Sequence, residues 1–158
     1  MKIKFTAVLV LVLTVFFSVS CLAAPETVSP NDYGTVSNLV VIKKPETAVS
    51  STTKQNYTLS AVAVAGTEIA FYGYNSSTGQ FHLKRDGAGS AMCGTVGSSG
   101  IYLQPVQLLK NTNYLLVRAA SPDGNYQVVR LDITLLNQGL LNTIKGFVAN
   151  FKSAFGGW

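Results

Sequence analysis

Apolar and polar side chains alternate through the middle of the chain, from about residue 39 to residue 135. The clearest stretch is 55–75, where every second side chain is apolar or small on both sides of the Ala65-Gly66 turn. Successive side chains of a strand point to opposite faces, so this alternation is typical of half-buried β-strands. The stretch therefore predicts a β-hairpin.

The same pattern recurs downstream and predicts about seven short strands. They fall at 39–42, 57–64, 68–74, 80–84, 101–108, 114–119 and 126–135, with turn-forming residues between them. Asp123-Gly124 is the strongest of the hairpin turns. Regular short strands without intervening helices indicate an all-β, antiparallel β-sandwich over 38–137. Residues 87–100 are rich in Gly and Ser, and we expect a mobile loop there.

The last part of the chain, 138–158, changes to a helical spacing of apolar residues. The apolar stripe consists of Leu140, Leu141, Ile144, Phe147, Val148, Phe151 and Phe155. At 100° per residue these side chains share one face, so an appended amphipathic helix is predicted. The stripe can pack on the sandwich, lie on a membrane surface with Lys145, Lys152 and Trp158 beside it, or mediate self-association.

One face of the predicted sandwich carries an unusual number of aromatic residues. If Ile69, Leu115 and Leu131 point inward, their neighbours point outward. The outward set is Tyr72, Tyr74, Tyr114, Leu116, Tyr126 and Val128, flanked by Arg118 and Arg130. An apolar patch of this kind usually meets a partner. A carbohydrate ring could stack on it, but we expect the C-terminal helix to cover it, because that satisfies two apolar faces at once.

The first 24 residues have the pattern of a signal peptide. Lys2 and Lys4 precede an apolar run, and Ala23 and Ala24 provide small residues for cleavage. A retained N-terminal anchor is the alternative. A third hypothesis starts the processed chain at Cys21, because the residues before it resemble a bacterial lipobox and would make Cys21 a lipidation site. Residues 25–37 have the Pro-, Gly- and Ser-containing composition of a linker.

Charge and composition exclude several classes of function. The net charge of +5 includes Lys2 and Lys4 of the leader, and the other basic residues are scattered, so nucleic-acid binding is not expected. Charged residues make up 12% of the chain and His82 is the only histidine. No metal-ligand, nucleophile or phosphate-loop motif is present. We therefore expect no catalytic residues, no metal and no cofactor. Without Cys21, Cys93 has no partner, so no disulfide is expected.

Several segments resemble bacterial Ig-like domains of secreted and cell-surface proteins. The resemblance rests on Ala-Gly-Thr-Glu-Ile at 65–69 between two strands, on Tyr-Asn-Ser-Ser-Thr-Gly at 74–79, and on the strand and turn pattern of 99–136. It covers about 36–137. It implies an Ig-like β-sandwich, a fold that serves in spacers, adhesins and ligand binders.

These observations predict a non-enzymatic module, secreted or held at the cell surface, that acts in binding, adhesion or envelope structure. The expected partner is a protein or another cell-envelope component. The alternative is an effector that associates with a membrane surface through the C-terminal helix, and the third hypothesis is a carbohydrate-binding module.

Overall fold

The computed structural model describes residues 24–155. Within the C-terminal helix, the side chains at 138, 140, 141, 149 and 151–155 lie outside the description. The predicted signal peptide, its alternative as an anchor, and the lipidation hypothesis for Cys21 also fall outside the described residues, as does Trp158. The described part is mostly β, as the alternation predicted, with several sheets and a helix at its C-terminal end.

The strands form two sheets. The larger sheet contains β1 (Thr27–Val28), β3 (Val49–Thr52), β5 (Glu68–Asn75), β6 (Gln80–Leu83), β7 (Cys93–Thr95), β9 (Asn111–Ala120) and β10 (Tyr126–Leu135), in the order β1-β6-β5-β9-β10-β3, with β7 beside β5. The smaller sheet contains β2 (Val40–Lys44), β4 (Asn56–Ala63) and β8 (Ile101–Gln107), in the order β2-β4-β8. Helix α1 spans Gln138–Phe155.

The main core lies between the two sheets. Leu59 and Val106 of the smaller sheet join Phe71, Val117 and Ile133 of the larger sheet in one buried cluster. These residues belong to the inward half of the alternating pattern, because every second side chain of a strand points to the same face. Burial of the two inner faces against each other is the main source of stability for such an arrangement.

A second, smaller buried cluster lies on the outer face of the larger sheet. It contains Val28, Ala70, Tyr72, Phe81, Leu83 and Leu116, and Ala24 and Val128 pack against it. The N-terminal strand β1 contributes Val28, which lies opposite Phe81 in the β1–β6 pair and is 4% exposed. The outer face of this sheet is therefore partly covered by the chain's own N-terminal residues.

Residues 29–36, here called the N-terminal strap, cross the outer face from β6 to β10. The backbone N–H groups of Thr35 and Val36 both donate to the carbonyl oxygen of Tyr126, at 2.8 and 3.2 Å. Gly34 allows this approach, since its φ is +82° and a Cβ atom there would lie 2.5 Å from that oxygen. Residues 25–37, predicted as a linker, thus contribute a strand and a strap that pack on the domain.

Three strands were not predicted. β1 lies in the predicted linker, β7 lies in the loop predicted at 87–100, and β3 is the short segment VSST. β3 also departs from the predicted antiparallel arrangement, because it pairs with β10 in parallel, Val49 opposite Asp132. β1 and β7 are too short for alternation to be visible in the sequence, and VSST contains one apolar residue, so it shows no alternation either.

Candidate functional site

The outer face of the larger sheet carries the six side chains predicted to point outward. Together we call them the aromatic platform: Tyr72, Tyr74, Tyr114, Leu116, Tyr126 and Val128. Tyr74 lies opposite Phe81 across the β5–β6 pair, and its ring meets Tyr114 of β9 edge-on, with centroids 6.2 Å apart. Asp132 of β10 is paired with Tyr114, and Val49 of β3 is paired with Asp132. These five side chains form one row across five strands.

The six platform residues do not have the same environment. Tyr72 and Leu116 are 0% exposed, because the second buried cluster includes them. Tyr74 and Tyr114 are 43% and 51% exposed, while Tyr126 and Val128 are half-buried. The open part of the platform is therefore the row containing Tyr74 and Tyr114, and the buried part is structural.

A groove of about 400 Å³ follows this row. We call it the aromatic groove; it is lined by Pro30, Ala48, Val49, Tyr74, Phe81, Tyr114, Arg130 and Asp132. The ring of Tyr74 contacts that of Phe81 at 5.3 Å with a 60° interplanar angle, the edge-to-face geometry that aromatic rings favour. The backbone that carries these rings is held in hydrogen-bonded strands, so the groove is built on regular secondary structure.

Arg130 places a positive charge beside the rings. Its guanidinium lies 5.9 Å from the ring centroid of Phe81 and 5.4 Å from that of Tyr33, which belongs to the N-terminal strap. Both distances are in the range of cation–π contacts. Asp132 supplies a carboxylate two residues further along β10. The groove therefore combines flat apolar surface with one donor-rich group and one acceptor-rich group.

Tyr126, the first residue of β10, binds the N-terminal strap. Its hydroxyl donates to Asp32 Oδ1 at 3.2 Å, its backbone N–H donates to Thr35 Oγ1 at 2.9 Å, and the guanidinium of Arg118 stacks on its ring at 4.5 Å. The negative charge of Asp32, followed by partial burial and the hydrogen bond to Asp32, raises the pKa of the Tyr126 hydroxyl. The role of Tyr126 in this face is to hold the strap rather than to line the groove.

The C-terminal helix does not cover the platform with its described side chains. Ile144, Phe147 and Val148 are 50%, 69% and 58% exposed. The other members of the predicted stripe, Leu140, Leu141, Phe151 and Phe155, fall among the side chains outside the description. Our expectation that the helix docks on the platform is therefore not met at the three visible positions. The strap and Val28 already occupy part of that face.

The one histidine of the chain, His82, does not line the groove. His82, on β6, shares a hydrogen bond with the hydroxyl of Thr78, with 2.8 Å between Nε2 and Oγ1. Between residues 24 and 155, no three His, Cys, Asp or Glu side chains come together in a group that could hold a metal ion. None of the helices in the same range has both the length and the apolar character needed to cross a bilayer.

The sequence did not point to five of the residues that line the groove, which are Pro30, Ala48, Val49, Phe81 and Asp132. Phe81 could have been found, because counting back across the hairpin turn at 76–79 places it opposite Tyr74. Val49 could not, since β3 has no recognisable strand pattern. Arg130 was identified only as a flanking charge, and its contact with the strap depends on a segment predicted to be a linker.

Comparison with known proteins does not assign the chain to a family. A scan against protein-family models finds no match, and a search of curated proteins finds no significantly similar sequence. A function for the chain therefore has to follow from its own surfaces.

Proposed function

We propose that the chain is a non-enzymatic, Ig-like module, secreted or held at the cell surface, that binds a cell-envelope component through the aromatic groove. The strand order supports the Ig-like part of the proposal. The larger sheet contains the order β6-β5-β9-β10, the smaller sheet has the order β2-β4-β8, and the main core lies between them. Variable-type Ig domains arrange strands C′-C-F-G and A-B-E in the same way. β4 and β9 contain no cysteine, and Phe71, stacked on Tyr102 at 6.0 Å, fills the core instead of an inter-sheet disulfide.

The observation that carries the proposal is the exposure of two neighbouring tyrosine side chains, Tyr74 and Tyr114, on the outer face of the larger sheet. Large aromatic side chains are rarely left half exposed side by side without a partner, because each exposed apolar patch costs solvation free energy. A groove of about 400 Å³ is within the size range of small-ligand sites. Rigid tyrosine rings also lose little conformational entropy when a ligand packs on them.

The chemistry of the groove suits a ligand with flat, partly apolar surfaces and polar edges. Tyr74 and Tyr114 offer ring faces and hydroxyl groups, while Arg130 and Asp132 offer a donor fork and an acceptor pair. A sugar ring of a cell-wall polysaccharide has this combination, and so does an extended segment of an envelope protein. Of these two ligands we propose the cell-wall polysaccharide, and the experiment below is designed for it.

The test is co-sedimentation of the purified protein with isolated bacterial cell walls. Tyr114→Ala should weaken binding roughly tenfold or more, as expected when a central aromatic anchor is removed. Leu109→Ala is the matched control, because Leu109 is 72% exposed but lies outside the groove. No wall binding by the wild type, or equal binding by the two variants, would show that the groove is not the working surface for this ligand class.

A second function is favoured by the helix. Exposed Ile144, Phe147 and Val148 lie on an amphipathic helix together with Lys145, and such helices bind at the surface of anionic bilayers. We propose this membrane-surface role as the alternative. It predicts that the protein co-sediments with vesicles containing phosphatidylserine and that a chain ending at Leu136 does not. Equal vesicle binding by both chains, or binding by neither, would contradict a membrane-surface role for the helix.

A further inference from the structure

Strand β8 leaves one edge of the smaller sheet open. Within residues 24–155, β8 pairs with β4 on one side, and no strand pairs with its other side. An open edge presents unpaired backbone N–H and C=O groups that can template a further strand. The edge of β8 therefore has hydrogen-bonding capacity that the described part of the chain does not use.

The other exposed edges are short or charged. β1, β3 and β7 have two, four and three residues, and β2 contains Lys43 and Lys44. Short strands and lysines are devices that keep sheet edges from pairing with other chains. β8 has seven residues, IYLQPVQ, and none of them is charged. Of the edges described, β8 combines length with the lack of charge.

Two backbone hydrogen bonds establish which residues of β8 face its open edge. The N–H of Ala63 donates to the carbonyl oxygen of Gly100 at 3.0 Å, and the N–H of Leu108 donates to that of Gln55 at 2.9 Å. Hydrogen-bonding direction alternates along an antiparallel strand, so the even-numbered residues of β8 face β4. The odd-numbered residues, from 101 to 107, direct their backbone groups to the open edge.

Pro105 restricts this edge to one short segment. Proline has no N–H, and the side-chain Nε2 of Gln104 already donates to the Pro105 carbonyl oxygen at 3.1 Å. Ile101 and Leu103 are left as neighbouring edge positions that each have a donor and an acceptor. The N–H of Ile101 makes a long bond, 3.3 Å, to Ser99 Oγ, which strand pairing would replace.

This pattern is complementary to itself. In an antiparallel pair of two β8 strands, Ile101 of one copy can lie opposite Leu103 of the other. Each of these residues then donates its N–H to the other and accepts the other's N–H. The register also leaves Pro105 outside the hydrogen-bonded segment, so its missing donor costs nothing.

The side chains of the same two residues favour the same pairing. Ile101 and Leu103 are 53% and 60% exposed on the outer face of the smaller sheet. Ile101 continues a row formed by Val41 and Val62, since each is the register partner of the next. Pairing two copies would place Leu103 beside Ile101 and extend this apolar row across the junction. The row contains no charge that would repel a second copy.

We propose that β8 is a self-association edge, through which two copies of the chain join their smaller sheets into one continuous antiparallel sheet. Because both copies use the same strand, a two-fold axis relates them. The hydrogen-bonded segment is short, so the interface lies below the roughly 1,200 Å² of stable complexes. The dimer therefore forms at high local concentration, as on a cell surface, and dissociates on dilution.

The experiment compares Leu103→Pro with Leu103→Ala in the purified protein. Both variants remove the exposed leucine side chain, but only proline removes the N–H at the open edge. Pro105 occupies an equivalent edge-facing position in the same strand, so the strand accommodates proline there. Sedimentation equilibrium should show the wild type moving from one to two monomer masses as concentration rises, Leu103→Ala doing so at higher concentration, and Leu103→Pro staying at one.

Amide hydrogen exchange tests the wild type without any variant. The N–H of Leu103 should exchange at least several-fold more slowly at dimer-forming concentrations than in dilute solution. The N–H of Gln107 faces the same edge beyond Pro105 and should not change. A monomer at every concentration, equal dimerisation of the proline variant, or concentration-independent exchange at Leu103 would overturn the proposal.

Discussion

Tyr126 connects the sheet to the N-terminal strap through a side chain, a donor N–H and an acceptor carbonyl. The hydroxyl bond to Asp32 is the one of these contacts that depends on pH. The nearby carboxylate disfavours ionisation of the phenol, so the pKa of Tyr126 is raised above its usual value of 10.0. The contact stabilises the fold while the phenol is neutral, below the unfolded-state pKa. Its contribution is lost as the pH rises through the folded-state pKa.

Tyr126→Phe tests this contact. At about pH 8 the variant should be less stable than the wild type by about 1 kcal/mol, the ordinary contribution of one hydrogen bond. The difference should shrink above about pH 10, because ionisation of Tyr126 removes the same bond from the wild type. Urea unfolding of both proteins across this pH range measures it. A difference that is independent of pH would mean that the hydroxyl bond is not its source.

Some features of single residues could be predicted from the sequence and others could not. Asn111, the first residue of β9, takes the left-handed conformation with φ 70°, and this was foreseeable because asparagine tolerates it. The complete burial of the Tyr72 and Leu116 side chains could not be predicted from the sequence. Alternation predicts which face a side chain points to, and it does not predict that residues from a distant segment will cover that face.

At the scale of elements, β1 has a larger role than its two residues indicate. Val28 is 4% exposed in the second buried cluster, whereas Val49, on β3 in the same sheet, is 73% exposed. Val28 belongs to the same buried cluster as Tyr72 and Leu116, so β1 is expected to be part of the cooperative unit.

Val28→Ala should therefore lower the free energy of unfolding by about 2 kcal/mol, from lost apolar burial and the cavity that remains. Val49→Ala makes the same chemical change on an exposed strand and should stay within about 0.5 kcal/mol of the wild type. Chemical denaturation of the three proteins gives the comparison. If both variants were unfolded by the same denaturant concentration as the wild type, β1 would not be part of the folded core.

The elements with a clear apolar pattern were predicted correctly. All seven strands predicted from alternation are present, and the C-terminal helix begins one residue after Asn137, whose side-chain oxygen accepts the N–H of Gly139 as a cap. β1 and β7 were not predicted, because two or three residues hold too little pattern. β3 is as long as β6, but its sequence VSST has one apolar residue and therefore no alternation.

At the scale of the whole molecule, three surfaces lie on different parts of the chain. The aromatic groove is on the outer face of the larger sheet, the open edge of β8 belongs to the smaller sheet, and the exposed residues of α1 follow the last strand. The sequence predicted that the groove and the helix form one interface inside the chain. The three stripe residues that are described, Ile144, Phe147 and Val148, are exposed, so we expect the groove and the helix to be separable surfaces that can be removed one at a time.

The most direct measurement is cell-wall co-sedimentation of the full protein beside the chain that ends at Leu136. Since the described helix side chains do not cover the groove, the shortened chain should stay soluble, unfold at nearly the same temperature and bind walls with unchanged affinity. Tyr114→Ala should weaken wall binding roughly tenfold or more in both chains. A shortened chain that remains folded and soluble but no longer binds walls would contradict the account, because the helix would then be the working surface.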